Sequence, residues 1–392
     1  MNLTILNTDV QKFITENLNA DATKLILKGS PFEEVSVQEL ANQILAKKKS
    51  QYKLPTWFIA ENIYYPAKVS IEQTSSEITA KYKAELISGE NIVDITGGFG
   101  VDTFYFSQQF KKIIHCEINP ELSKIVAHNF KQLEVKNSTT FSGDGIEFLK
   151  NTSQKFDCIY IDPSRRDTQK EKVFLLKDCL PNVPANLDFL FTKSTQILLK
   201  NSPILDIKST INELKFVKEI HSVAVNNEVK ELLFLLEKDY ESDIKIYTIN
   251  YLKKGIQQFN FTHNNQLKAT YSEPLAYLYE PNVAVLKSGA FQEISAVLKV
   301  DKLHQHSHLY TSKDLIDFPG RSFQIEHILS YDKKKIKKLL TNNKGNVTTR
   351  NFPKNVAQIR KELNIKDGGT DYLFFTTDVH QKKIVLFCKK VN

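Results

Sequence analysis

A short apolar run followed at once by clustered glycines constrains the fold of this chain more than any other feature. Residues 91–96 read Asn-Ile-Val-Asp-Ile-Thr, which is typical of a buried parallel strand. Gly97, Gly98 and Gly100 follow, and the missing Cβ atoms let the backbone of a turn approach a ligand closely. A helix is predicted to begin near Val101. A glycine-rich turn between a strand and a helix indicates a binding crevice at the carboxyl ends of the strands of an open α/β sheet.

Acidic residues recur at the expected ends of four strands. Asp94 stands just before the glycine turn, where a carboxylate suits a ligand with a positive amino or sulfonium end and not a pyrophosphate. Glu117 ends a second apolar run, at the position from which an acid accepts hydrogen bonds from ribose hydroxyls. Asp144 is placed to accept from an adenine amino group, and Asp162 ends a buried run at residues 156–162. We therefore expect four carboxylates along one edge of the sheet.

With these residues in this order, residues 70–240 resemble a class I S-adenosylmethionine-dependent methyltransferase. The resemblance implies an α/β fold with a Rossmann-like doubly wound sheet and S-adenosylmethionine as the cofactor. It also implies a set of cofactor contacts from the glycine loop, the end of the second strand and the adenine side. These residues are Asp94, Thr96, Gly97, Gly98, Gly100, Asp102, Glu117, Ile118, Asp144 and Gly145.

The segment after the fourth strand is where such enzymes hold the acceptor. Asp162 and Pro163 resemble the catalytic-strand motif, but Ser164 and Arg165 replace the proline and aromatic residue typical of enzymes that methylate an exocyclic base nitrogen. This departure disfavours amine methylation. Arg165 is suited to phosphate oxygens, and a surface loop is the alternative. The candidate catalytic residues are Asp162, Pro163, Ser164, Arg165 and Lys200.

Two interpretations of Lys200 remain open. Lys81 or Lys83, then Asp162, Lys200 and Glu228 or Glu231 follow the Lys-Asp-Lys-Glu order of ribose 2′-O-methyltransferases, in which a lysine acts on the hydroxyl proton. A structural lysine at this position is the alternative.

Length and composition agree with a multidomain protein. The chain has 392 residues, which suggests two to four domains, and 41% of them are hydrophobic. A net charge of +8 permits an anionic partner but does not require one. The four cysteines form no C-x-x-C pair and indicate reduced core thiols in a cytoplasmic protein. No apolar run reaches the length of a membrane span, and no secretion signal is visible.

The amino-terminal part is predicted to be helical. We expect a helical domain over residues 1–68, with the first helix capped by Thr8 or Asp9 and a capping box at Ser36 before a second helix. Trp57, the only tryptophan, is expected to pack this domain onto a methyltransferase domain over residues 69–242.

Short alternating strands after residue 242 indicate a change of fold. We expect connecting strands and a ferredoxin-like domain over residues 243–320. His304, His306 and His308 would share one face of a strand, but no nearby acid or cysteine pattern completes a metal site. A polar loop is favoured, and no metal is expected.

Positive charge is concentrated near the end of the chain. Residues 331–366 carry nine lysines and two arginines against two acids, a balance of +9, which indicates a binding face. With the motifs at residues 349–353 and 367–369, the predicted helix, strand, helix and hairpin of residues 321–392 resemble a THUMP-like domain. THUMP domains bind RNA and are commonly directed to tRNA. The alternative is a basic surface that docks on the catalytic domain. The candidate RNA-binding residues are Lys334, Lys335, Lys338, Arg350 and Arg360.

The sequence as a whole predicts an S-adenosylmethionine-dependent methyltransferase that acts on RNA, either tRNA or rRNA. A methyltransferase of a small molecule or a protein is one alternative. A non-catalytic RNA-binding protein that retains the cofactor fold is another, because Ser164 stands where a second proline is expected. A nicotinamide oxidoreductase is disfavoured by Asp94. The sequence leaves the oligomeric state open.

Overall fold

A computed structural model describes residues 1–66, 71–164, 175–263 and 267–391. The chain divides into two compact units. Unit 1 contains Met1–Lys218 and Leu233–Glu241, and unit 2 contains Glu219–Leu232 and Ser242–Asn392. The predicted boundary at residues 68 and 69 lies outside the described residues. Within the described ranges, every helix is too short or too polar to span a bilayer.

Unit 1 begins with helices and continues as alternating strands and helices. Strands β6 (Val217–Val225) and β7 (Glu228–Glu237) contribute residues to both units. The other elements are α1 (Thr8–Glu16), α2 (Ala22–Lys28), α3 (Val37–Lys53), α4 (Pro55–Ile59), α5 (Glu77–Glu85), β1 (Asn91–Asp94), α6 (Val101–Phe106), β2 (Lys112–Glu117), α7 (Pro120–Gln132), β3 (Ser138–Ser142), α8 (Gly145–Asn151), β4 (Phe156–Ile161), α9 (Val183–Lys193), β5 (Ser194–Asn201) and α10 (Ile207–Glu213), with 3-10 turns at Leu3–Leu6 and Leu176–Asp178.

Five strands of unit 1 run parallel within one sheet, in the order β3-β2-β1-β4-β5. The order reverses between β1 and β4, as in a doubly wound sheet, so the ends of these two strands flank the switch point where ligands bind. Asp94, the last residue of β1, lies opposite His115 of β2 and Tyr160 of β4. The glycine turn and Asp162 therefore meet at one edge of the sheet.

The amino-terminal helices belong to unit 1 and pack on its glycine loop. Trp57 is fully buried, and its ring centroid lies 4.8 Å from that of Phe104 and 6.4 Å from that of Phe99. This packing confirms the prediction for Trp57. The capping box at Ser36 is also confirmed, because its hydroxyl accepts from the Glu39 amide and the Glu39 carboxylate accepts from the Ser36 amide.

The predicted cap of the first helix is wrong. Helix α1 already begins at Thr8, and Asn7 occupies the cap position, so neither Thr8 nor Asp9 is the cap. Asn7 makes no side-chain cap bond in this structure, which leaves the helix start without the hydrogen bond that a capping residue usually supplies.

Unit 2 contains a small group of strands and a seven-stranded sheet. Residues 219–225 of β6 pair in parallel with β8 (Lys245–Leu252), which pairs antiparallel with β9 (Gly255–Thr262). The remaining elements are β10 (Tyr277–Pro281), α11 (Val283–Ser288), α12 (Glu293–Leu298), β11 (Asp301–Lys302), β12 (Tyr310–Ser312), β13 (Gly320–Ser330), α13 (Lys333–Leu339), β14 (Asn346–Thr349), α14 (Val356–Leu363), β15 (Asp371–Thr377) and β16 (Lys383–Lys390), with a 3-10 turn at Thr341–Asn343.

The seven strands run in the order β11-β12-β10-β13-β16-β15-β14. Neighbouring residues of β15 enter different hydrophobic clusters because side chains alternate between the faces of a strand. Phe375 packs with Ile336 and Ile359 of the two helices α13 and α14. Phe374 packs with Leu278 and other residues on the opposite side. Both faces of this sheet are therefore covered.

Candidate active site

The glycine turn after β1 is fixed to the end of β2. Gly98 and Gly100 have φ values of 58° and 79°, in the left-handed region that favours glycine. The Gly98 amide donates to Glu117 Oε2 at 2.9 Å, and the Gly97 amide donates to the Cys116 carbonyl at 2.8 Å. The turn that we predicted as a cofactor loop is thus held by the acid predicted to bind ribose.

A buried histidine explains why residue 97 is glycine. A Cβ atom on Gly97 would lie 2.1 Å from His115 Cε1, which is far too short for two non-bonded carbon atoms. His115 Nδ1 lies 2.9 Å from Thr103 Oγ1, and burial lowers the pKa of the imidazole to about 4. The ring is therefore neutral at pH 7. Our sequence reasoning missed His115, although a histidine inside an apolar strand is a signal that could have been followed.

Asp94 is buried behind the glycine turn. Its Oδ1 accepts from the Thr96 amide at 3.0 Å, and its Oδ2 accepts from Thr103 Oγ1 at 2.8 Å. Burial raises the pKa of Asp94 to about 7, assisted by the nearby Asp102 and Asp162 carboxylates and opposed by the two hydrogen bonds. Asp94 is not among the described residues that line the cleft above the turn. Direct contact between Asp94 and a cofactor stays a prediction.

An open cleft of about 140 Å³ lies above the turn. Residues 96–102, residues 73–75, Tyr160 and Asp162 line it. The charged residues among this described lining are Asp102 and Asp162. The Asp162 side chain is 37% exposed, so its carboxylate can accept a hydrogen bond from a cationic group of a ligand.

Asp102 is the centre of a buried network beside the cleft. Lys83 Nζ lies 3.2 Å from Asp102 Oδ1, while the hydroxyls of Ser75 and Tyr160 donate to Oδ2 at 2.8 and 2.7 Å. Although burial opposes ionisation, the ammonium groups of Lys83 and Lys200 and these two hydroxyls hold the pKa of Asp102 below its usual range. Asp102 therefore stays ionised, and the network ties the segment before α5 to the helix that follows the glycine turn.

Asp162 and Lys200 form an ion pair at the mouth of the cleft, through Asp162 Oδ2. The Asp162 side chain is 37% exposed and the Lys200 side chain 13% exposed, so the carboxylate remains accessible. The Asp162 amide also donates to Thr96 Oγ1 at 2.7 Å. This bond joins the ends of β1 and β4, which brings two of the predicted site elements together.

The residues after Asp162 are only partly described. Pro163 is buried, and Ser164 is exposed and forms a bridge with Leu180 through bonds of 2.8 and 2.9 Å. Arg165, the fourth predicted catalytic residue, lies outside the described residues.

The adenine side of the predicted site lies at the ends of β2 and β3. Ile118 is 69% exposed directly after Glu117, and such an apolar side chain could cover an adenine face. Asp144 is exposed and caps α8 by accepting from the Glu147 amide at 3.0 Å. A Cβ atom on Gly145 would lie 2.4 Å from the Ile95 carbonyl oxygen, so glycine allows this helix start to approach the loop after β1.

The residues of the Lys-Asp-Lys-Glu order take part in ion pairs within the protein. Asp162 pairs with Lys200, but Lys83 is fully buried and pairs with Asp102. Glu228 pairs with Lys230, its neighbour on β7, at 2.7 Å. The Lys83 side chain is fully enclosed by protein, whereas Lys81, the other lysine of the predicted order, lies over the Tyr105 ring at 5.5 Å from its centroid, and a catalytic role for Lys81 stays a prediction.

The predicted RNA-binding residues in unit 2 divide into two groups. Lys334, Lys335 and Lys338 are exposed on α13, whose start is capped by Asp332. The two arginines are partly engaged within the protein: Arg350 pairs with Glu280 at 2.8 Å, and Arg360 pairs with Asp367. Their roles in RNA binding stay predictions.

The three histidines that we considered as a metal site make protein contacts. His304 Nδ1 lies 2.9 Å from Asn351 Nδ2 and 3.1 Å from the His306 amide, and His308 stacks on Phe291. Among the residues that the structure describes, no group of three or more His, Cys, Asp or Glu side chains is placed to hold a metal ion.

The strand order, the glycine turn and the acids at the strand ends define the class of this protein: it has a methyltransferase fold. Models of known families match three segments of the chain. They are described as RNA cap guanine-N2 methyltransferase for residues 89–260, ferredoxin-like domain for residues 277–319 and THUMP domain-like for residues 320–390.

The chain belongs to the family of a candidate methyltransferase from Porphyromonas gingivalis W83, a structure that matches it along nearly its whole length. The two proteins are 31% identical, the match covers 99% of this chain and 98% of that chain, and the TM-score is 0.89. The predicted resemblance and fold class are both confirmed. The exact domain limits stay predictions.

Two other solved structures each match less than half of this chain. An rRNA methylase from Streptococcus thermophilus is 14% identical and covers 42% of this chain and 98% of its own, with a TM-score of 0.31. A candidate methyltransferase from Streptococcus mutans, in complex with S-adenosylhomocysteine, is 13% identical and covers 41% of this chain and 96% of its own, also with a TM-score of 0.31. These scores are too low to support a functional argument. No curated protein matches the chain.

Proposed function

We propose that this protein transfers a methyl group from S-adenosylmethionine to RNA, either tRNA or rRNA. The observation that carries the proposal is the cleft above the glycine turn, whose charged lining residues are the carboxylates of Asp102 and Asp162. A pyrophosphate gains nothing from carboxylates in the lining, whereas the amino and sulfonium groups of a ligand can interact with Asp162, whose carboxylate stays partly exposed beside Lys200.

The residues around the cleft fit this cofactor. The glycine turn leaves backbone space, since a Cβ atom on Gly98 would meet no atom closer than 3.9 Å. Glu117 would face the ribose, and Ile118 and Asp144 would lie on the adenine side. Asp102 and Asp162 would face the cationic end. We assign the predicted cofactor-binding residues to these roles. Asp94 would support the turn from behind, through its hydrogen bonds with Thr96 and Thr103.

When bound, S-adenosylmethionine supplies a methyl group that its sulfonium already activates, so the chain has mainly to align the acceptor and receive its proton. Asp162 suits both tasks. Lys200 engages Asp162 Oδ2, and we assign Oδ1 to accept a hydrogen bond from the acceptor. As the acceptor forms its bond to the methyl carbon and the carbon–sulfur bond breaks, the acceptor proton passes to Asp162 or to water.

RNA is the substrate that the charge distribution favours. Segment 331–366 carries a balance of +9, and Lys334, Lys335 and Lys338 are exposed on α13. Exposed lysines bind a phosphate backbone without reading its sequence, so they would hold the polymer while the cleft takes one nucleotide. Arg165 and Ser164 stand next to Asp162 in the chain and remain candidates for contacts to that nucleotide.

In the first experiment, the full chain is incubated with labelled S-adenosylmethionine and with total bacterial RNA, total protein or small metabolites. Label incorporated into RNA is the expected result. Label found only in protein or only in metabolites would refute the proposal for RNA, and failure to bind S-adenosylhomocysteine in a calorimetric titration would refute the cofactor.

The second experiment separates chemistry from binding. Asp162→Asn should lower the rate of RNA methylation by about 100-fold or more, because the acceptor loses its charged hydrogen-bond partner, while the affinity for S-adenosylhomocysteine changes by less than about tenfold. Asp188→Asn, an exposed carboxylate that pairs with Lys215, is the matched control and should leave both quantities unchanged. Equal rates for Asp162→Asn and wild type would exclude the assigned role.

A further inference from the structure

Unit 2 contains a second cleft, of about 270 Å³, whose lining includes Arg350, one of the predicted RNA-binding residues. It lies where the end of β10, the start of β13 and the end of β14 meet. Three strands separate β10 from β14 in the sheet order, yet Arg350 directly after β14 reaches Glu280 on β10. The sheet is therefore strongly curled here, since neighbouring strands are about 4.8 Å apart.

A buried carboxylate fixes two guanidinium groups in this cleft. Glu280 is only 5% exposed. Arg321 donates to Glu280 Oε2 through Nε at 2.8 Å and also through Nη2, and Arg350 Nη2 donates to Oε1 at 2.8 Å. The backbones of β10 and β13 also approach closely here, because a Cβ atom on Gly320 would lie 2.1 Å from the Glu280 carbonyl oxygen.

Both arginines keep donors for a ligand. A guanidinium has five N–H groups, and Arg321 commits two of them to Glu280. Arg350 commits one to Glu280 and one to the Thr349 carbonyl. The side chains of Arg321 and Arg350 are about 40% exposed, so their remaining N–H groups are accessible from the cleft.

The rest of the lining completes a site for a nucleotide. The charged residues among its described lining are these two arginines and Glu280, so the cleft carries one net positive charge. Thr348 and Thr349 add hydroxyl groups on one side. Val283, Leu286 and neighbouring apolar side chains form a wall against which a sugar or a base can pack.

We propose that the cleft formed by Glu280, Arg321 and Arg350 binds one phosphate group of an RNA nucleotide. Paired guanidinium groups with a fixed orientation match the oxygens of a phosphate, and Glu280 supplies that orientation in advance of binding. The source of the phosphate rests on the proposed function, whereas the recognition of phosphate itself does not require methyl transfer. The site is separate from the exposed lysines of α13, which contact a backbone without a preformed pocket.

The test measures binding of the full chain to a 12-nucleotide RNA, prepared with either a 5′-phosphate or a 5′-hydroxyl, by fluorescence anisotropy. Arg321→Gln should weaken binding about tenfold and lower the dependence of log K on log salt by about one. If the loss occurs only with the 5′-phosphate, the site takes a terminal phosphate. If it occurs with both RNAs, the site takes an internal phosphodiester. Binding of both RNAs that is unchanged in Arg321→Gln and in Arg350→Gln would overturn the proposal.

Glu280→Gln distinguishes a built site from simple positive charge. It makes the cleft more positive by one charge but removes the ionic partner of both arginines. We expect RNA binding to weaken about threefold or more, because the guanidinium groups lose their orientation. Tighter binding would show that charge alone matters and would overturn the assigned role of Glu280.

Controls keep this test independent of the methylation assay. Lys254→Gln, an exposed lysine in the turn between β8 and β9, removes one charge from the same unit and should leave RNA affinity within about twofold of wild type. Each variant should bind S-adenosylhomocysteine as wild type does, which shows that unit 1 is intact. A protein that binds RNA through this cleft but methylates none would refute the proposed function and leave the phosphate site standing.

Discussion

Replacing Asp94 by asparagine is expected to stabilise unit 1 at alkaline pH and to flatten the pH dependence of its stability. The substitution preserves the local contacts: the amide oxygen of the new side chain would still accept from the Thr96 amide, and its nitrogen would donate to Thr103 Oγ1, which in turn would donate to His115 Nδ1. What changes is the burial of a charge. Wild type ionises a buried carboxyl as the pH rises, and the variant does not.

The pKa of Asp94 gives the size of the effect. Burial raises it from 3.8 in the unfolded chain to about 7, so the folded state binds more protons than the unfolded state between these values. The free energy of unfolding therefore falls as the pH rises through this window. The loss from this one group is about 2 kcal/mol at about pH 5 and about 4 kcal/mol at about pH 8. Relative to wild type, the variant should gain roughly 2 kcal/mol between these two conditions.

Trp57 provides the assay. It is the only tryptophan and lies buried against Phe104, so its fluorescence reports the unfolding of unit 1. Urea unfolding curves would be recorded at several pH values for wild type, Asp94→Asn and the control Asp188→Asn, whose carboxylate is exposed. The control curve should run parallel to that of wild type, with the same urea dependence in all three proteins.

Parallel stability curves for wild type and Asp94→Asn would refute this reasoning. Such a result would mean that the Asp94 carboxyl titrates at the same pH in the folded and unfolded states. A variant that is less stable than wild type by the same amount at every pH would likewise show that hydrogen-bond loss outweighs the cost of the buried charge.

Two further substitutions test contacts within unit 1, with the same Trp57 fluorescence assay. Lys83→Met should lower the free energy of unfolding by about 3 kcal/mol or more, because the buried Asp102 carboxylate loses the ammonium group of Lys83. The double variant Lys83→Met with Asp102→Asn should recover part of this loss. Equal stabilities of the single and double variants would contradict the pairing. Gly97→Ala should unfold unit 1 or abolish S-adenosylhomocysteine binding, because the new Cβ atom would overlap His115. Combining Gly97→Ala with His115→Ala should restore folding. A stable single variant would contradict the steric argument.

The frame of unit 1 was predictable because its signals are local. A strand of residues 91–96, the glycines and the helix start at Val101 are each encoded within a few residues, and the structure places β1 and α6 there. The capping box of α3 at Ser36 is local in the same sense. The clustering of acids at one sheet edge followed from parallel strand order, which motif spacing also indicates.

The contacts between distant residues were not predictable in this way. Nothing near Lys83 in the sequence indicates that its partner is Asp102, and an amphipathic helix would equally allow an exposed lysine. The hydrogen bond of Asp94 with Thr103 also carries no local signal, because only the fold brings these two side chains together. The ion pair between Glu280 and Arg350 joins residues 70 positions apart, and no sequence motif indicates it.

The burial of Trp57 against Phe99 and Phe104 has a consequence for any attempt to dissect this protein. Residues 1–66 supply part of the hydrophobic core that supports the glycine turn, so the catalytic fold depends on them. Cutting the chain near residue 68 would remove Trp57 and expose the rings of Phe99 and Phe104 that it covers. We therefore expect the excised catalytic segment to aggregate, and swaps of the amino-terminal helices between relatives to succeed only when the aromatic partners travel with them.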